Sequence, residues 1–93
     1  MRDVQENVVL HQAVEKWGNE AQVNQAIEEM GELIVALNHY RRGRAKRTQV
    51  QEEIADVMIM AEQLAIIFGD VQVQLKRYDK FSRLAQRLSN DMK

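Results

Sequence analysis

The sequence predicts an all-α protein in which four amphipathic helices form an antiparallel bundle. Proline, the residue that most strongly interrupts a helix, is absent from all 93 positions. Helix-forming Ala, Leu, Gln, Glu, Met and Arg are plentiful. Apolar residues recur three and four positions apart along four segments, and short connections between such segments favour antiparallel packing.

The length and composition limit the class of protein. A chain of this size is expected to form one domain, 1–93, that buries a smaller share of its surface than larger domains do, so we expect oligomerisation to complete the bundle. The absence of cysteine excludes disulfides, thiolate metal sites and thiol nucleophiles. With a net charge of -1, no long apolar run and no signal-peptide pattern, we expect a soluble, cytoplasmic protein that does not bind membranes.

Candidate caps and glycines divide the chain into helices. Three residue pairs have the spacing of a capping box, in which two side chains satisfy each other's backbone amides. They are Asp3 with Glu6, Asn19 with Gln22, and Thr48 with Gln51. Asp70 is a fourth candidate cap, and glycines that can close a preceding helix lie at Gly18, Gly43 and Gly69. The helices are therefore predicted at about 4–17, 20–42, 49–68 and 71–90.

Each predicted helix carries an apolar stripe, and the stripe of the first helix is the weakest. The stripe of the second helix comprises Val23, Ala26, Ile27, Met30, Ile34 and Leu37. That of the third comprises Val50, Ile54, Val57, Met58, Ala61, Leu64, Ala65 and Phe68. The fourth helix offers Val71, Leu75, Tyr78, Phe81, Leu84, Ala85 and Leu88. These spacings are typical of one helical face.

Six acidic residues form two clusters that have no basic neighbours. Glu28, Glu29 and Glu32 fall on the second helix, and the third helix carries Glu52, Glu53 and Asp56. Every residue three or four positions from these six is uncharged or acidic. Because like-charged pairs at this spacing cost about 0.2–0.5 kcal/mol each, a cation from outside the helices is the natural compensation.

The two acidic clusters are expected to lie at the same height. Glu32 is 11 residues before Gly43 and Glu53 is 10 residues after it, so antiparallel neighbours bring Glu29, Glu32, Glu53 and Asp56 together. An all-oxygen acidic site suits Mg²⁺ or Mn²⁺, which bind through a few carboxylates together with substrate phosphates. A single Glu-x-x-Glu segment means little, whereas two matched and unpaired clusters are more specific.

These segments resemble the EExxE…ExxD signature of the all-α nucleoside triphosphate pyrophosphohydrolases, the MazG-like family, in its small phage-type form. The residues that carry the likeness are Glu28-Glu29-Met30-Gly31-Glu32, then 20 residues, then Glu53-Ile54-Ala55-Asp56. The likeness extends over positions 16–69. It implies Mg²⁺-dependent hydrolysis of (deoxy)nucleoside triphosphates to monophosphate and pyrophosphate, with Mn²⁺ as a substitute and nucleotide-pool house-cleaning as a role.

The resemblance also implies site residues and an assembly. By position, Glu29, Glu32, Glu53 and Asp56 would be the metal ligands, and Glu28 would orient or deprotonate the attacking water. Glu52 has no assured role in the family and is interpreted as a solvated acid near a helix start. The family resemblance further implies a homodimer or a dimer of dimers, with sites built between helices of adjacent chains.

Two basic segments and one tryptophan are weaker candidates for substrate contacts. Lys76, Lys80, Arg83 and Arg87 line one face of the last helix and resemble basic positions that the family places after its ExxD helix. A solvated helix face is an equally good interpretation. Five basic residues in 41–47 are interpreted as a solvated loop. Trp17 resembles a family tryptophan whose ring would stack on the base, although core packing or a dimer contact would explain it as well.

Three alternative functions are weaker. A non-catalytic module that binds nucleic acid or a partner through the basic segments leaves six unpaired acids unexplained, and these acids would repel phosphate without metal. Nucleic acid is therefore not the expected partner. A di-iron carboxylate bundle requires Glu-x-x-His pairs, which neither His11 nor His39 completes. Phosphoribosyl-ATP pyrophosphatase shares the superfamily and the chemistry, but its characteristic lysine before the acidic cluster is not found.

Overall fold

Four α-helices account for most of the chain. The computed structural model describes residues 2–92, so Met1 and Lys93, the ends of the predicted domain 1–93, lie outside the described residues. The helices are α1 (Val4–Trp17), α2 (Asn19–Arg41), α3 (Arg47–Phe68) and α4 (Asp70–Asp91). This confirms the all-α, four-helix prediction, and each helix bound lies within two residues of the predicted one.

One predicted capping box is present, and the other predicted caps are wrong. The Glu6 amide donates to the Asp3 carboxylate at 2.8 Å, and the Asp3 amide donates to Glu6 at 3.2 Å. Asn19 and Asp70 are instead the first residues of α2 and α4, and Thr48 lies inside the first turn of α3. The physical reason is that Gly18 and Gly69 have positive φ angles of 89° and 113° and turn the chain within a single residue. The next helix therefore starts immediately after each glycine.

The start of α3 lies two residues before the predicted one. Lys46 is the residue that precedes the helix, and its backbone amide donates to the Gln49 side chain at 2.7 Å. Gln49 thus fulfils the role that the sequence assigned to Gln51, because a glutamine three residues after an extended residue satisfies an exposed amide.

The helices α2 and α3 form an antiparallel hairpin that contains most of the interhelical contacts. The Gln22 side-chain amide near the start of α2 donates to the Gln63 side chain near the end of α3, and both side chains are buried. Further along the hairpin, Glu29 on α2 lies beside Glu53 and Asp56 on α3. Since residue numbers rise along α2 as they fall along α3, the predicted equal height of the acidic clusters is confirmed.

The buried face of α2 overlaps the predicted apolar stripe only in part, at Val23 and Ala26. Ala26 is buried, and Glu29, Leu33 and Ala36 are half-buried on the same face. Four stripe residues remain exposed, namely Ile27, Met30, Ile34 and Leu37. The small side chains of Ala26 and Ala36 suit this face to helix packing, and the four exposed apolar residues form a separate flank of α2. The buried hydrophobic residues are Leu10, Ala26, Met60 and Ala65.

The outer helices are attached less extensively than the hairpin. Leu10 of α1 packs into the core, and the Arg2 guanidinium pairs with Glu62 at 3.5 Å and with Asp70, which joins the N-terminal segment to the start of α4. No described residue of α4 is buried. Among residues 2–92, no helix has both the length and the apolar composition that a membrane span requires.

Candidate metal centre

Three carboxylates converge between α2 and α3. One oxygen each from Glu29, Glu53 and Asp56 lie within 4.8 Å of one another. Glu53 and Asp56 are three residues apart and therefore share a side of α3, which faces Glu29 across the hairpin. Glu29 and Glu53 are half-buried, and Asp56 is exposed. The arrangement offers several oxygen ligands on one open side, as a hard divalent cation requires.

Two oxygens of this cluster are buried and lack a hydrogen-bond partner. They are Oε2 of Glu29 and Oε2 of Glu53. The other oxygen of Glu29 accepts a hydrogen bond from the Gln25 side-chain amide at 2.8 Å, so the carboxylate is held in one orientation. A buried carboxylate oxygen without a partner is costly, and a metal ion or a proton would relieve that cost.

The electrostatics of the cluster are dominated by repulsion. Burial raises the pKa of Glu53 above its ordinary value of 4.5, and the neighbouring charges raise it further. The acids responsible are, in decreasing order, Glu32, Asp56, Glu29 and Glu52. Among the described residues, salt bridges are made by Arg2 alone, which pairs with Glu62 and Asp70. The cluster is therefore an acidic site that no described lysine or arginine neutralises.

Glu28 and Glu32 line a cavity next to the three converging carboxylates. The cavity has a volume of about 670 Å³, and Glu53 lines it as well. Glu32 lies outside the group of three whose oxygens are mutually within 4.8 Å. Of the four metal ligands that the family resemblance implies, the structure thus brings three together and places the fourth on the adjoining wall. The cavity volume falls in the range of about 300–1,000 Å³ that is usual for small-molecule sites.

The predicted substrate-contacting residues lie elsewhere in this chain. Trp17 is 59% exposed at the end of α1, and the Lys16 ammonium lies 5.6 Å from the centroid of its ring. Lys76, Lys80 and Arg83 are exposed on α4. None of these four residues lines the cavity formed by the described residues.

Two cavity residues, His39 and Arg44, were not predicted as site residues. The sequence pattern indicates no role for His39 and a solvated loop around Arg44, whereas both residues line the cavity. A sequence signal for His39 existed, since it follows Glu28 by 11 residues, which is about three helical turns and returns to the same side. Arg44 had no comparable signal, because loop geometry determines its position.

No family model, curated protein or solved structure matches this chain.

Proposed function

We propose that the protein is a Mg²⁺-dependent nucleoside triphosphate pyrophosphohydrolase of the MazG-like type. The single observation that carries the proposal is the convergence of Glu29, Glu53 and Asp56, with oxygens within 4.8 Å, at the side of a nucleotide-sized cavity. The reaction class follows from this chemistry, because phosphoryl displacement requires mainly charge neutralisation and positioning of the reactants.

The residues present fit a divalent cation. Two buried carboxylate oxygens without partners, on Glu29 and Glu53, face a third carboxylate on Asp56. These three residues would hold Mg²⁺, or Mn²⁺ in its place, and Glu32 would complete the set from the cavity wall. When bound, the ion neutralises charge on the phosphates and polarises the phosphorus that is attacked.

The lining of the cavity supports a role for Glu28 in the attack by water. Glu28 lines the cavity with Glu32 and is exposed to water, so it would orient a water molecule or accept its proton. The water oxygen forms a bond to the α-phosphorus, and the bond from that phosphorus to the bridging α–β oxygen breaks. Pyrophosphate leaves, and the nucleoside monophosphate retains the oxygen from water. Such a substrate would place the activity in the cytoplasm.

We further propose that a second copy of the chain covers the apolar flank of α2. At 100° per residue, the exposed side chains of Ile27, Met30, Ile34 and Leu37 centre about 160° from the side that carries Glu28, Glu32 and His39. A homodimer, or a dimer of dimers, would bury this flank and leave the cavity open. In a dimer of dimers, a second contact between chains on the cavity side would bring a neighbouring α4 to the nucleotide, so that Lys76, Lys80 and Arg83 contact the phosphates and Trp17 contacts the base.

Resolving the products from a panel of ribo- and deoxyribonucleoside triphosphates tests the proposal. With Mg²⁺ we expect monophosphate and pyrophosphate in equal amounts from at least one nucleotide, and no turnover in EDTA. Release of orthophosphate with the diphosphate, or no turnover of any nucleotide, would contradict it. Salt-dependent binding of nucleic acid in EDTA would instead favour a non-catalytic binding module.

A further inference from the structure

The cavity extends from the acidic cluster toward the connection between α2 and α3. Its α2 wall runs from Glu28 to His39, a rise of about 16 Å at 1.5 Å per residue. Beyond His39, Arg44 lines the cavity from the connection. The cavity therefore has an acidic region near Glu28 and Glu53 and a basic residue at the end nearest the loop.

The backbone fixes the position of Arg44 relative to α2. The Gly43 amide donates to the Tyr40 carbonyl at 2.9 Å, and the Arg44 amide donates to the His39 carbonyl at 2.7 Å. This pair of bonds is the Schellman motif, which requires a left-handed residue, and Gly43 supplies it with a φ of 74°. Arg44 is thus held over the last turn of α2 rather than carried on a mobile loop.

The Arg44 guanidinium makes no salt bridge within the part of the chain that the structure describes, although Glu28, Glu32 and Glu53 line the same cavity. His39 is the other titratable group that lines it. A guanidinium binds phosphate oxygens through paired hydrogen bonds and cannot lose its charge near neutral pH. An arginine left free at the end of an acidic cavity is suited to a polyanion whose other end is bound through metal.

We propose that Arg44 contacts the β- and γ-phosphates of a nucleoside triphosphate, which places the pyrophosphate leaving group at the loop end of the cavity. This inference rests on the proposed function for the identity of the substrate. The attacked α-phosphorus would lie near Glu28 and the metal ligands, so either the phosphate chain or the nucleoside extends toward the loop. The guanidinium of Arg44 favours the phosphate chain at the loop end. Without this positive charge, the phosphates would face the three carboxylates of the cavity with no cation at that end.

The test compares Arg44→Gln with Arg42→Gln, a matched loss of charge in the same connection at a residue that does not line the cavity. A third variant, Arg44→Lys, keeps the charge without the paired hydrogen bonds. Because the lost hydrogen bonds are charge-assisted, the KM of Arg44→Gln should rise about 10- to 150-fold. The Ki of inorganic triphosphate with Mg²⁺ should rise by a similar factor. Arg42→Gln should match the wild type, and Arg44→Lys should be intermediate.

Two further measurements separate this inference from the proposed function. Mn²⁺ affinity in the absence of nucleotide should be the same in wild type and Arg44→Gln, and a lower affinity in the variant would overturn a phosphate-specific role. If the wild type hydrolyses no nucleotide, the proposed function fails. In that event calorimetric binding of inorganic triphosphate with Mg²⁺ still decides the role of Arg44. Equal KM, Ki and binding in Arg44→Gln and Arg42→Gln would overturn the inference.

Discussion

Among single residues, Glu53 is the described carboxyl group whose pKa is raised by burial and by neighbouring acids together. It is half-buried, one of its oxygens has no partner, and four other acids raise its pKa together with burial. Glu52, the adjacent residue, is exposed and lies outside the converging group. These two neighbours therefore form a matched pair for testing whether position, rather than charge, determines the contribution of an acid.

The first prediction concerns the exchange of Glu53 for its neutral isostere. Replacing a residue that only contacts a metal ligand typically lowers metal affinity or activity about 10- to 100-fold. Because Glu53 is proposed as a ligand itself, Glu53→Gln should lower Mn²⁺ affinity and kcat/KM by at least this factor. Glu52→Gln should stay within a few-fold of the wild type. Circular dichroism would verify that both variants are folded. Full activity of Glu53→Gln would remove this residue from the ligand set.

The second prediction is a pH dependence of stability. The folded-state pKa of Glu53 lies above its ordinary value of 4.5, so the folded protein binds this proton more tightly than the unfolded chain does. Without metal, the free energy of unfolding should therefore fall as the pH rises from about 4.5 through the raised pKa. Urea titrations across this pH range should show a smaller fall in Glu53→Gln, which has no proton to lose. An identical pH profile in the two proteins would contradict the shift.

Among the helices, the relative heights of the acidic residues on α2 and α3 could be predicted from the sequence, whereas the starts of several helices could not. The heights of Glu29, Glu53 and Asp56 follow from counting residues on either side of Gly43, because antiparallel helices rise at the same rate. The Asp3 cap followed from local spacing alone. Sequence placed the caps at Asn19 and Thr48 incorrectly, since positive-φ glycine and an extended Lys46 started those helices earlier.

The packed face of α2 and the position of Arg44 could not be predicted from periodicity. Both Ile34 and Leu33 belong to apolar surface on α2, and hydrophobicity alone does not decide which of them meets α3. In the structure Leu33 is half-buried beside the small residues Ala26 and Ala36, and Ile34 is exposed. Arg44 depends on a two-bond loop motif, which charge composition does not reveal.

The third prediction concerns two glycine-to-alanine substitutions that should change the free energy of unfolding in opposite directions. Gly43→Ala places a β-carbon on a residue with a φ of 74°, which should cost about 1–2 kcal/mol of unfolding free energy. Gly31 lies within α2, and apart from its chain neighbours and the adjoining helix backbone no described heavy atom is within 4 Å of an added β-carbon. Gly31→Ala should therefore raise the free energy of unfolding by about 0.5–1 kcal/mol. Urea denaturation measures both. A stabilised Gly43→Ala would show that the left-handed turn is not required.

At the scale of the whole molecule, one chain is extended and leaves much apolar surface open. Its radius of gyration is 16.1 Å, whereas about 12 Å is expected for a compact domain of this length. Ile27 and Ile34 are each 60% exposed, and no large side chain among the described residues is fully buried. Exposed apolar surface of this extent is typical of an association surface.

The fourth prediction is that the protein is oligomeric through this flank. Light scattering should give a mass of two or four times 10.8 kDa. Ile27→Asp combined with Ile34→Asp should halve that mass, because a charge cannot be buried at an apolar contact without large cost. Val4→Asp, on the exposed start of α1, is the control and should leave the mass unchanged. A wild-type mass of 10.8 kDa would contradict the proposed assembly.

Turnover of nucleoside triphosphates in water enriched in ¹⁸O, with Mg²⁺ present and the products analysed by mass spectrometry, shows which phosphorus is attacked. If the acidic hairpin directs water to the α-phosphorus, the monophosphate should carry one ¹⁸O atom and the pyrophosphate none. Label in the pyrophosphate, labelled orthophosphate as the product, or no Mg²⁺-dependent turnover of any nucleotide would contradict the proposed function.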